Sequence, residues 1–477
     1  MAFRRAALCS VLVLCLASCS GGSSSPPPPA TSSPTPTPTP TVSAIDEQLA
    51  FAEDVLDEWY LFPNLLDNSI DTADFNDVQE YLNARVAPAR AQDIDRFFTF
   101  ATSIEEENAL INSGASAGFG IRLGYDTFNN RVFILEAFEN GNALGAGLDR
   151  GAELLGITTP GQAEQLVSAL MASGGPQAVV NALGPSDAGV TRTLRFAQAN
   201  GAVITANVTK SVFSLDPISD RYGALTLNDG GKLVGYLNLR TFIVSDAANQ
   251  LRQAFATFQS AGITELIIDL RYNGGGLISV ADTFGDLLGA GRVGQVWSET
   301  VYRDSKSDLN QTELFENESA AIAPTKIAFI GRNATASASE LVINSMIPYI
   351  DPANIALIGE NTFGKPVGQD GFDLAEFDLR IRATTIQTNN SQGSGEYYSG
   401  LASVIPNTCS AFDDISNPLG DVDEASIAVA LDFLAGRPCN AIATAEAGVE
   451  AQQATGRQVA LQPERPNAVQ HHISGLF

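Results

Sequence analysis

Ser337 lies in a segment whose pattern could turn a hydroxyl group into a nucleophile. The apolar run at 326–330 predicts a strand, the polar residues 331–333 predict a turn, and the following pattern predicts a helix. A helix N-terminus leaves backbone amides unpaired and carries positive partial charge, so the amide of Ala338 could receive a developing oxyanion. The structural alternative is that Ser337 and Glu340 form a capping box, in which the hydroxyl only satisfies the helix. The choice depends on whether the chain also supplies a base.

A serine hydroxyl needs a proton acceptor, which is most often histidine. The two histidines of the chain, His471 and His472, lie within its last seven residues, and we expect both to fall outside the core. A serine-histidine triad is therefore not expected. Lysine is the remaining candidate, and Lys365 has the most unusual setting of the five lysines, between Gly364 and Pro366 after an apolar run.

Lys365 can act as a base only if its amine is neutral near pH 7. This requires a pKa roughly 3 units below the usual value of about 10.4, which burial without a carboxylate partner can produce. Gln369, four residues further on, could orient the amine if residues 365–369 form a helical turn with Pro366 at its first position. The alternative is that Lys365 is an ordinary solvated surface residue.

Three motifs, in this order, are similar to those of a known family. They are Asp269-Leu270-Arg271-Tyr272-Asn273-Gly274-Gly275-Gly276, then Ala336-Ser337-Ala338-Ser339-Glu340, then Gly364-Lys365 with Gln369 four residues after the lysine. With these motifs the sequence resembles the C-terminal processing peptidases, also called tail-specific proteases, from Ile45 to Pro438. The resemblance implies that Ser337, rather than Ser339, is the nucleophile and that Lys365 is its base. Two departures are Pro366, where the family often has glycine, and a longer interval between serine and lysine.

The glycine-rich motif indicates the second half of an oxyanion hole. Glycine has no side chain to obstruct a ligand, so the backbone of residues 273–276 can approach a substrate closely. We predict that Gly275, or alternatively Gly276, provides an oxyanion amide beside that of the residue after the nucleophile. The alternative is a tight turn that needs positive φ. We expect Asp269 and Arg271 to pair and hold this loop rather than to act in catalysis.

Residues 113–212 contain short predicted strands and glycine turns, which predict a β-rich domain. Within it, Gly118-Phe119-Gly120-Ile121 resembles the carboxylate-binding loop and strand of a PDZ domain, and residues 143–152 resemble the region that follows in processing peptidases. A PDZ domain binds an extended peptide as an added strand and captures its terminal carboxylate with loop amides. The resemblance implies protein or peptide substrates with apolar C-termini. The alternative is an ordinary strand with small residues.

The remaining elements predict an α/β peptidase domain over residues 213–439. Predicted strands and helices alternate there, and the apolar run at 266–268 is typical of a strand buried in a parallel sheet. The resemblance implies a crotonase- or ClpP-like core. Residues 45–112 have helical periodicity and predict an N-terminal helical region. Residues 440–477 are polar and alanine-rich, which predicts a disordered tail.

The first 44 residues predict export and anchoring. Arginines precede an apolar run too short to span a bilayer comfortably, and Leu16-Ala17-Ser18-Cys19 resembles a bacterial lipobox. Residues 1–19 are therefore predicted to be a lipoprotein signal peptide with Cys19 as the lipidated residue; the alternative is an ordinary secretory signal. Residues 20–44, rich in Pro, Ser and Thr, predict an extended tether. These features predict a location in the bacterial cell envelope, on the periplasmic side, with a lipid anchor in the outer membrane.

Cysteine usage agrees with an oxidising compartment. Cys409 and Cys439 are the only cysteines after Cys19. An even pair in an oxidising envelope indicates a disulfide. We therefore predict a bond between Cys409 and Cys439, tying a loop to the end of a helix.

Charge and composition argue against several classes of function. With 27 basic and 54 acidic residues and a formal net charge of −27, the chain lacks the basic balance that phosphate binding requires, so no nucleic-acid partner is expected. Clustered His or Cys ligands are absent from the sequence, so we predict no metal and no cofactor. The main prediction is a serine-lysine endopeptidase that cuts proteins near their C-termini.

Two alternatives belong to other classes. The first is a catalytically silent scaffold that binds protein C-termini through the PDZ-like region. The second is thioester chemistry on an acyl-coenzyme A, because the family's catalytic core resembles the crotonase fold.

Overall fold

The computed structural model describes residues 43–443 and 458–477, which form a mixed α/β fold. The helices of these residues are α1 (Ala44–Trp59), α2 (Val78–Arg85), α3 (Ala87–Arg90), α4 (Ile104–Ser113), α5 (Asn142–Gly145), α6 (Val167–Leu183), α7 (Ala247–Ser260), α8 (Ile278–Leu288), α9 (Ala338–Met346), α10 (Ala425–Leu434) and α11 (Ala468–His472). The strands are β1 (Phe100–Ser103), β2 (Ala115–Gly118), β3 (Ile121–Asp126), β4 (Arg131–Ala137), β5 (Glu153–Thr158), β6 (Gln165–Leu166), β7 (Thr191–Ala197), β8 (Val203–Thr209), β9 (Ser211–Ser214), β10 (Ala224–Asp229), β11 (Lys232–Asn238), β12 (Glu265–Asp269), β13 (Val296–Tyr302), β14 (Gln311–Leu314), β15 (Lys326–Gly331), β16 (Ile355–Gly359), β17 (Val367–Leu374), β18 (Leu379–Asn390), β19 (Asn407–Ser410) and β20 (Val459–Ala460).

The predictions for residues 1–42 lie outside the described residues. They comprise the signal peptide, the lipidation site at Cys19 and nearly all of the tether. Within the described ranges, no helix is both long enough and apolar enough to cross a lipid bilayer.

A six-stranded sheet forms the centre of the predicted peptidase domain, in the order β10-β11-β12-β15-β16-β19. β10 is antiparallel to β11, and the other neighbours in the sheet are parallel. The helices α7, α8 and α9 pack on one face of this sheet and α10 packs on the other, so its central strands carry apolar residues on both faces. Parallel strands end at a common edge of a sheet, so the loops after β12, β15 and β16 meet there. All three predicted catalytic motifs lie on these loops or directly after them.

A second, five-stranded antiparallel sheet joins the N-terminal helices to the central part. Its order is β1-β18-β13-β14, and β17 also pairs with β18. The helices α1 and α2 bury an apolar face that packs against β18 through residues such as Leu56, Tyr81 and Ile381. The register of β17 on β18 shifts between Gly368 and Gln369. This sheet therefore carries Gln369 on a strand.

The β-rich unit has its own sheet and its own core. Its strands run β20-β3-β4-β5-β7-β8, with β6 paired to β5, and α5 and α6 accompany them. Phe119, Leu154 and Phe196 belong to its buried core. The antiparallel pair β2 and β9 joins the two ends of the unit, with Ala115 opposite Ser214. The unit is thus inserted between α4 and the central sheet.

The prediction of disorder for residues 440–477 is wrong for the part of it at 458–477. β20 pairs with β3, and α11 buries Val469 together with the nearby Ile473 in an apolar cluster. His471 and His472 are partly buried here, contrary to the expectation that both lie outside the core. The polar, alanine-rich composition of residues 440–477 gave the wrong answer, because it concealed the helical spacing of Val469, Ile473, Leu476 and Phe477.

A disulfide joins β19 to the chain beyond α10. Cys409 is buried in β19, and it is bonded to Cys439 across a sequence separation of 30 residues. The bond therefore closes the loop that contains α10.

Candidate active site

Ser337 precedes α9 in a backbone conformation that is rare for any residue other than glycine. Its φ is 57° and its ψ is −119°. Such strain persists only where the surrounding structure holds it, and it is concentrated at functional sites. The hydroxyl of Thr335 helps to hold this turn, because it donates to the carbonyl of Leu270 at 2.7 Å and accepts from the amide of Arg332 at 3.0 Å. A sharp turn between a strand and a helix is also how other serine hydrolases expose a nucleophile.

The loop after β12 lies directly against this turn. A Cβ on Gly275, whose φ is 104°, would lie 2.7 Å from the Cβ of Ser337 and 2.9 Å from the amide nitrogen of Ala338, so only glycine fits. The carbonyl of Asn273 accepts from the amide of Ala336 at 3.1 Å, which holds the two segments together. The amide of Gly275 donates to Asn273 Oδ1 at 2.9 Å. Gly275 therefore adjoins Ser337, but its amide is engaged in the loop.

The other two predicted oxyanion residues have different surroundings. Gly276, with φ 141°, packs against the chain at Phe242 and Ile243, where a Cβ would lie 2.1 Å from the amide nitrogen of Ile243. Its lack of a side chain therefore serves this close backbone approach. Ala338 is the first residue of α9, and first-turn amides have no intrahelical acceptor. The Ala338 amide is thus placed beside Ser337 at the positive end of the helix.

Lys365 is partly buried beside an aromatic ring and an amide. Its Nζ lies 4.9 Å from the centre of the Phe98 ring and donates to Gln369 Oε1 at 2.7 Å. Burial lowers the pKa of Lys365 to about 8, although the charges of Asp95 and Glu340 oppose this shift. The amine therefore needs little free energy to become neutral at physiological pH.

The expectation of a helical turn over residues 365–369 is wrong. The chain is extended from Val367 onward in β17, and the carbonyl of Pro366 accepts from the amide of Thr388 at 2.9 Å. Lys365 lies two residues before β17 and Gln369 lies within it, and the long side chains of the two residues meet without a helical turn. Gln369 Nε2 donates to the carbonyl of Phe98. This bond turns the amide oxygen of Gln369 toward the amine.

Glu340 joins the serine segment to the lysine segment. Its buried carboxylate accepts from the amides of Ser337 and Lys365 on the same oxygen, at 3.1 and 2.7 Å. Its other oxygen accepts from the hydroxyl of Thr362 at 2.6 Å and from the amide of Gly364 at 2.7 Å. The bond from Ser337 is one half of the predicted capping box. The bonds to the lysine loop were not predicted, because spacing along the chain shows only local partners.

Arg96 fastens the lysine loop to the N-terminal region, and the sequence gave no sign of this role. Its Nη2 donates to the carbonyls of Phe363 and Gly364, both at 2.6 Å, and to that of Tyr398 at 3.0 Å. The guanidinium group also lies 4.2 Å from the centre of the Phe363 ring. The N-terminal region, which we expected only to support packing, therefore borders the site directly.

A buried ionic cluster supports the loop after β12. Arg271 is fully buried, and its guanidinium group pairs with Asp269 at 2.8 Å, Asp413 at 3.0 Å and Glu424 at 2.8 Å. Burial alone would lower the pKa of Arg271, but the surrounding carboxylates raise it well above its ordinary value. The pairing of Asp269 with Arg271 matches their predicted structural role.

The Gly118–Ile121 loop of the β-rich unit contacts the 458–477 segment. The amides of Gly120 and Ile121 donate to the carbonyl oxygen of Phe477 at 3.0 and 3.1 Å. A Cβ on Gly118 would lie 2.7 Å from the carbonyl carbon of Phe477. Phe119 instead points into the core of the unit, with its side chain fully buried. The loop is therefore occupied by a main-chain carbonyl of the chain itself.

The site opens into a cavity of about 610 Å³. Lys365, Phe98, Gly274 and Ala336 line it on one side, and residues from the 458–477 segment line it on another. His471 also lines the cavity, where burial lowers its pKa to about 3. The histidine is therefore near the site, although it follows none of the three motifs. Within residues 43–443 and 458–477, no group of His, Cys, Asp and Glu side chains is arranged to hold a metal ion.

Comparisons with known proteins agree with this geometry. Residues 233–402 match the family described as Peptidase family S41. A carboxyl-terminal-processing protease from Synechocystis sp. is 25% identical over 332 residues, which cover 69% of this chain and 70% of that protein. A carboxyl-terminal-processing protease from Picosynechococcus sp. is 28% identical over 179 residues, which cover 36% of this chain and 38% of that protein. An S41-type crystal structure from Bacteroides fragilis shares the fold, with a TM-score of 0.62 and 21% identity over 84% of this chain and 99% of that chain.

Proposed function

We propose that this protein is a serine-type endopeptidase that cleaves proteins near their C-termini, a proposal supported by the match of residues 233–402 to Peptidase family S41. The observation that carries the mechanism is the Glu340 oxygen that accepts from the backbone amides of both Ser337 and Lys365 and so links the serine segment to the lysine segment. Ser337 has φ 57° at a helix N-terminus, and burial lowers the pKa of Lys365 to about 8. The carboxyl-terminal-processing proteases among its relatives favour this function over a silent scaffold.

In the proposed reaction, neutral Lys365 accepts the proton of the Ser337 hydroxyl as Oγ attacks the carbonyl carbon of the scissile peptide. The new C–O bond makes a tetrahedral intermediate with a negative oxygen. Collapse of this intermediate breaks the C–N bond, and the protonated Lys365 returns the proton to the leaving amine. Water then attacks the acyl-enzyme by the same proton transfers and releases the new C-terminus.

The proposed oxyanion hole combines the Ala338 amide with the loop at Gly274–Gly276. The proposed role of the Ala338 amide is supported by the position of Ala338 at the start of α9 and by its closeness to Gly275. The Gly275 amide takes part only if it is shared with, or released from, its bond to Asn273. Gln369 has the proposed role of orienting the amine of Lys365, supported by the 2.7 Å bond between them.

The β-rich unit is proposed to be a PDZ-like domain that binds apolar substrate C-termini, beside a crotonase- or ClpP-like catalytic core. Its support is the pair of amides at Gly120 and Ile121, which already bind a main-chain oxygen. Loop amides of this kind capture a terminal carboxylate in PDZ domains. The location proposed is the periplasmic side of the cell envelope, with a lipid on Cys19 holding the protein to the outer membrane; this proposal is supported by the sequence of residues 1–44 alone.

The test of the reaction is hydrolysis of a peptide with an apolar C-terminus, followed by mass spectrometry of the products. Ser337→Ala should lower kcat/KM by about 10⁴-fold or more, because the nucleophile is lost. Ser345→Ala is the matched control: this buried hydroxyl lies in the same helix and has no hydrogen-bond partner among the described residues, so its loss should leave hydrolysis unchanged. Hydrolysis that survives Ser337→Ala, or that a chelator abolishes, would refute the mechanism.

A further inference from the structure

The 458–477 segment completes the edge of the sheet in the β-rich unit. Its last residues pair with β3 as an antiparallel strand: the amide of Phe477 donates to the carbonyl of Ile121 at 2.9 Å, and the amide of Leu123 donates to the carbonyl of Gly475 at 2.8 Å. Further along β3, the amide of Leu461 donates to the carbonyl of Leu123 at 2.8 Å. The segment therefore occupies the edge of β3 at Ile121 and at Leu123, in the way that an added peptide strand would occupy it.

Side chains anchor this added strand on both of its faces. Phe477 is 3% exposed and packs in the core of the β-rich unit, together with Phe119 and Ile121. Leu476 is also 3% exposed, and it packs in a different cluster with Phe138 and Phe213. Adjacent residues of a strand point to opposite faces, so each of the two anchors fills a separate apolar site. The edge thus accepts an extended segment with large apolar residues at two neighbouring positions.

The same segment also covers the cavity beside the serine and the lysine. The ring of His471 stacks on Phe100 at 3.8 Å, and His472 Nε2 is 2.7 Å from a carboxylate oxygen of Glu107. A Cβ on Gly274 would lie 3.2 Å from the carbonyl oxygen of His472, so the segment lies directly against the proposed oxyanion loop. Residues 458–460 and 462–466 line the same cavity as Lys365.

We infer that the 458–477 segment is an intramolecular occupant of the substrate site, which a substrate chain must displace before it is cleaved. This inference rests on the proposed peptidase function. The segment fills the strand position that a substrate C-terminus would take, and it restricts the access of a substrate to Ser337. The sites of Leu476 and Phe477 also define the substrate class, which is an extended chain with bulky apolar residues at two neighbouring positions.

The first experiment measures occupancy without catalysis. In a Ser337→Ala background, a fluorescent peptide with the sequence of residues 468–477 is titrated against the protein with and without Phe477→Asp. The charge should expel the segment from its apolar site, and because the apparent affinity falls with the fraction of vacant sites, the peptide should bind at least about ten-fold more tightly to the Phe477→Asp protein. Phe128→Asp is the matched control, since Phe128 is 72% exposed in the same unit, and it should bind the peptide as weakly as the parent. Equal binding by all three proteins would overturn the inference.

The second experiment measures release of the active site. With Ser337 intact, Phe477→Asp should raise kcat/KM for an apolar-ended peptide about ten-fold or more over both the wild type and Phe128→Asp, and added 468–477 peptide should reverse the gain. A wild type that cleaves the substrate as fast as Phe477→Asp would overturn the inference and leave the peptidase function intact. Vacancy-dependent peptide binding without hydrolysis by any variant would instead contradict the peptidase function and uphold the occupancy.

Discussion

The substitution Gln369→Glu tests whether a neutral Lys365 is the base. It changes an amide to a carboxylate of nearly the same shape, 2.7 Å from Nζ. The wild-type pKa of Lys365 is about 8 because of burial, so about a quarter of the enzyme carries a neutral amine at pH 7.5. An opposite charge at this distance raises a lysine pKa by roughly 1 to 3 units. The expected pKa in the variant is therefore about 9 to 11.

The pH dependence of kcat/KM provides the assay, because it reports the ionisations of the free enzyme. In the wild type kcat/KM should rise with pH and reach half its maximum near pH 8, since Lys365 is active only after losing its proton. In Gln369→Glu the midpoint should move upward by at least about one pH unit. At pH 7.5 kcat/KM should fall by about 10- to 1000-fold, and it should recover as the pH rises toward 10.

Gln369→Met is the control, because it removes the same hydrogen bonds without adding a charge. Both variants lose the bond to the carbonyl of Phe98, so the difference between them isolates the carboxylate. The methionine variant removes an acceptor that favours the protonated amine, and its midpoint should stay near pH 8 or fall. A Gln369→Glu profile with its midpoint still near pH 8, in a protein that remains folded, would refute Lys365 as the titrating base.

Two further predictions address the loop and the anchor. Gly275→Ala should lower kcat/KM by about 100-fold or more, because the new Cβ displaces Ser337 or Ala338. The control is Gly291→Ala, because Gly291 also has positive φ but has open space around it; this variant should lose only about 1 kcal/mol of stability in thermal unfolding and no activity. Equal activity of the two variants would contradict the steric argument. Cys19→Ser should move the protein from the membrane fraction to the soluble fraction and remove a lipid-sized mass from its N-terminal peptide, and an unchanged distribution and mass would exclude the lipid anchor.

The catalytic motifs were recognisable because each one is local. A buried strand followed by a turn and a helix N-terminus is encoded within about fifteen residues around Ser337, and the glycines after Asp269 are needed wherever a backbone must approach closely. The parallel sheet then follows from apolar runs such as 266–268, since such strands must be covered on both faces. These features depend on neighbours along the chain, so the sequence determined them.

Other features depend on residues that meet only in three dimensions. The carboxylate of Glu340 has the spacing of a helix cap, but its bonds to Gly364 and Lys365 come from a loop more than twenty residues away. Lys365, just before β17, and Gln369, within it, meet without a helical turn because both side chains are long. The pairing of Lys365 with Gln369 was predicted without its geometry, whereas the bonds of Glu340 to the lysine loop were not predicted.

The 458–477 segment shows most clearly what sequence patterns leave undetermined. The composition of residues 440–477 is that of a disordered chain, and the helical spacing of Val469, Ile473, Leu476 and Phe477 within it gives no sign of the elements that they contact. The 458–477 segment is ordered because Leu476 and Phe477 find apolar sites, and its backbone finds an open strand edge, on elements more than 200 residues earlier in the sequence. The sequence by itself indicated the proposed reacting groups and determined the sheet that carries them, whereas only the tertiary structure decided what covers them, because the apolar sites and the strand edge that hold the 458–477 segment lie far from it in the sequence.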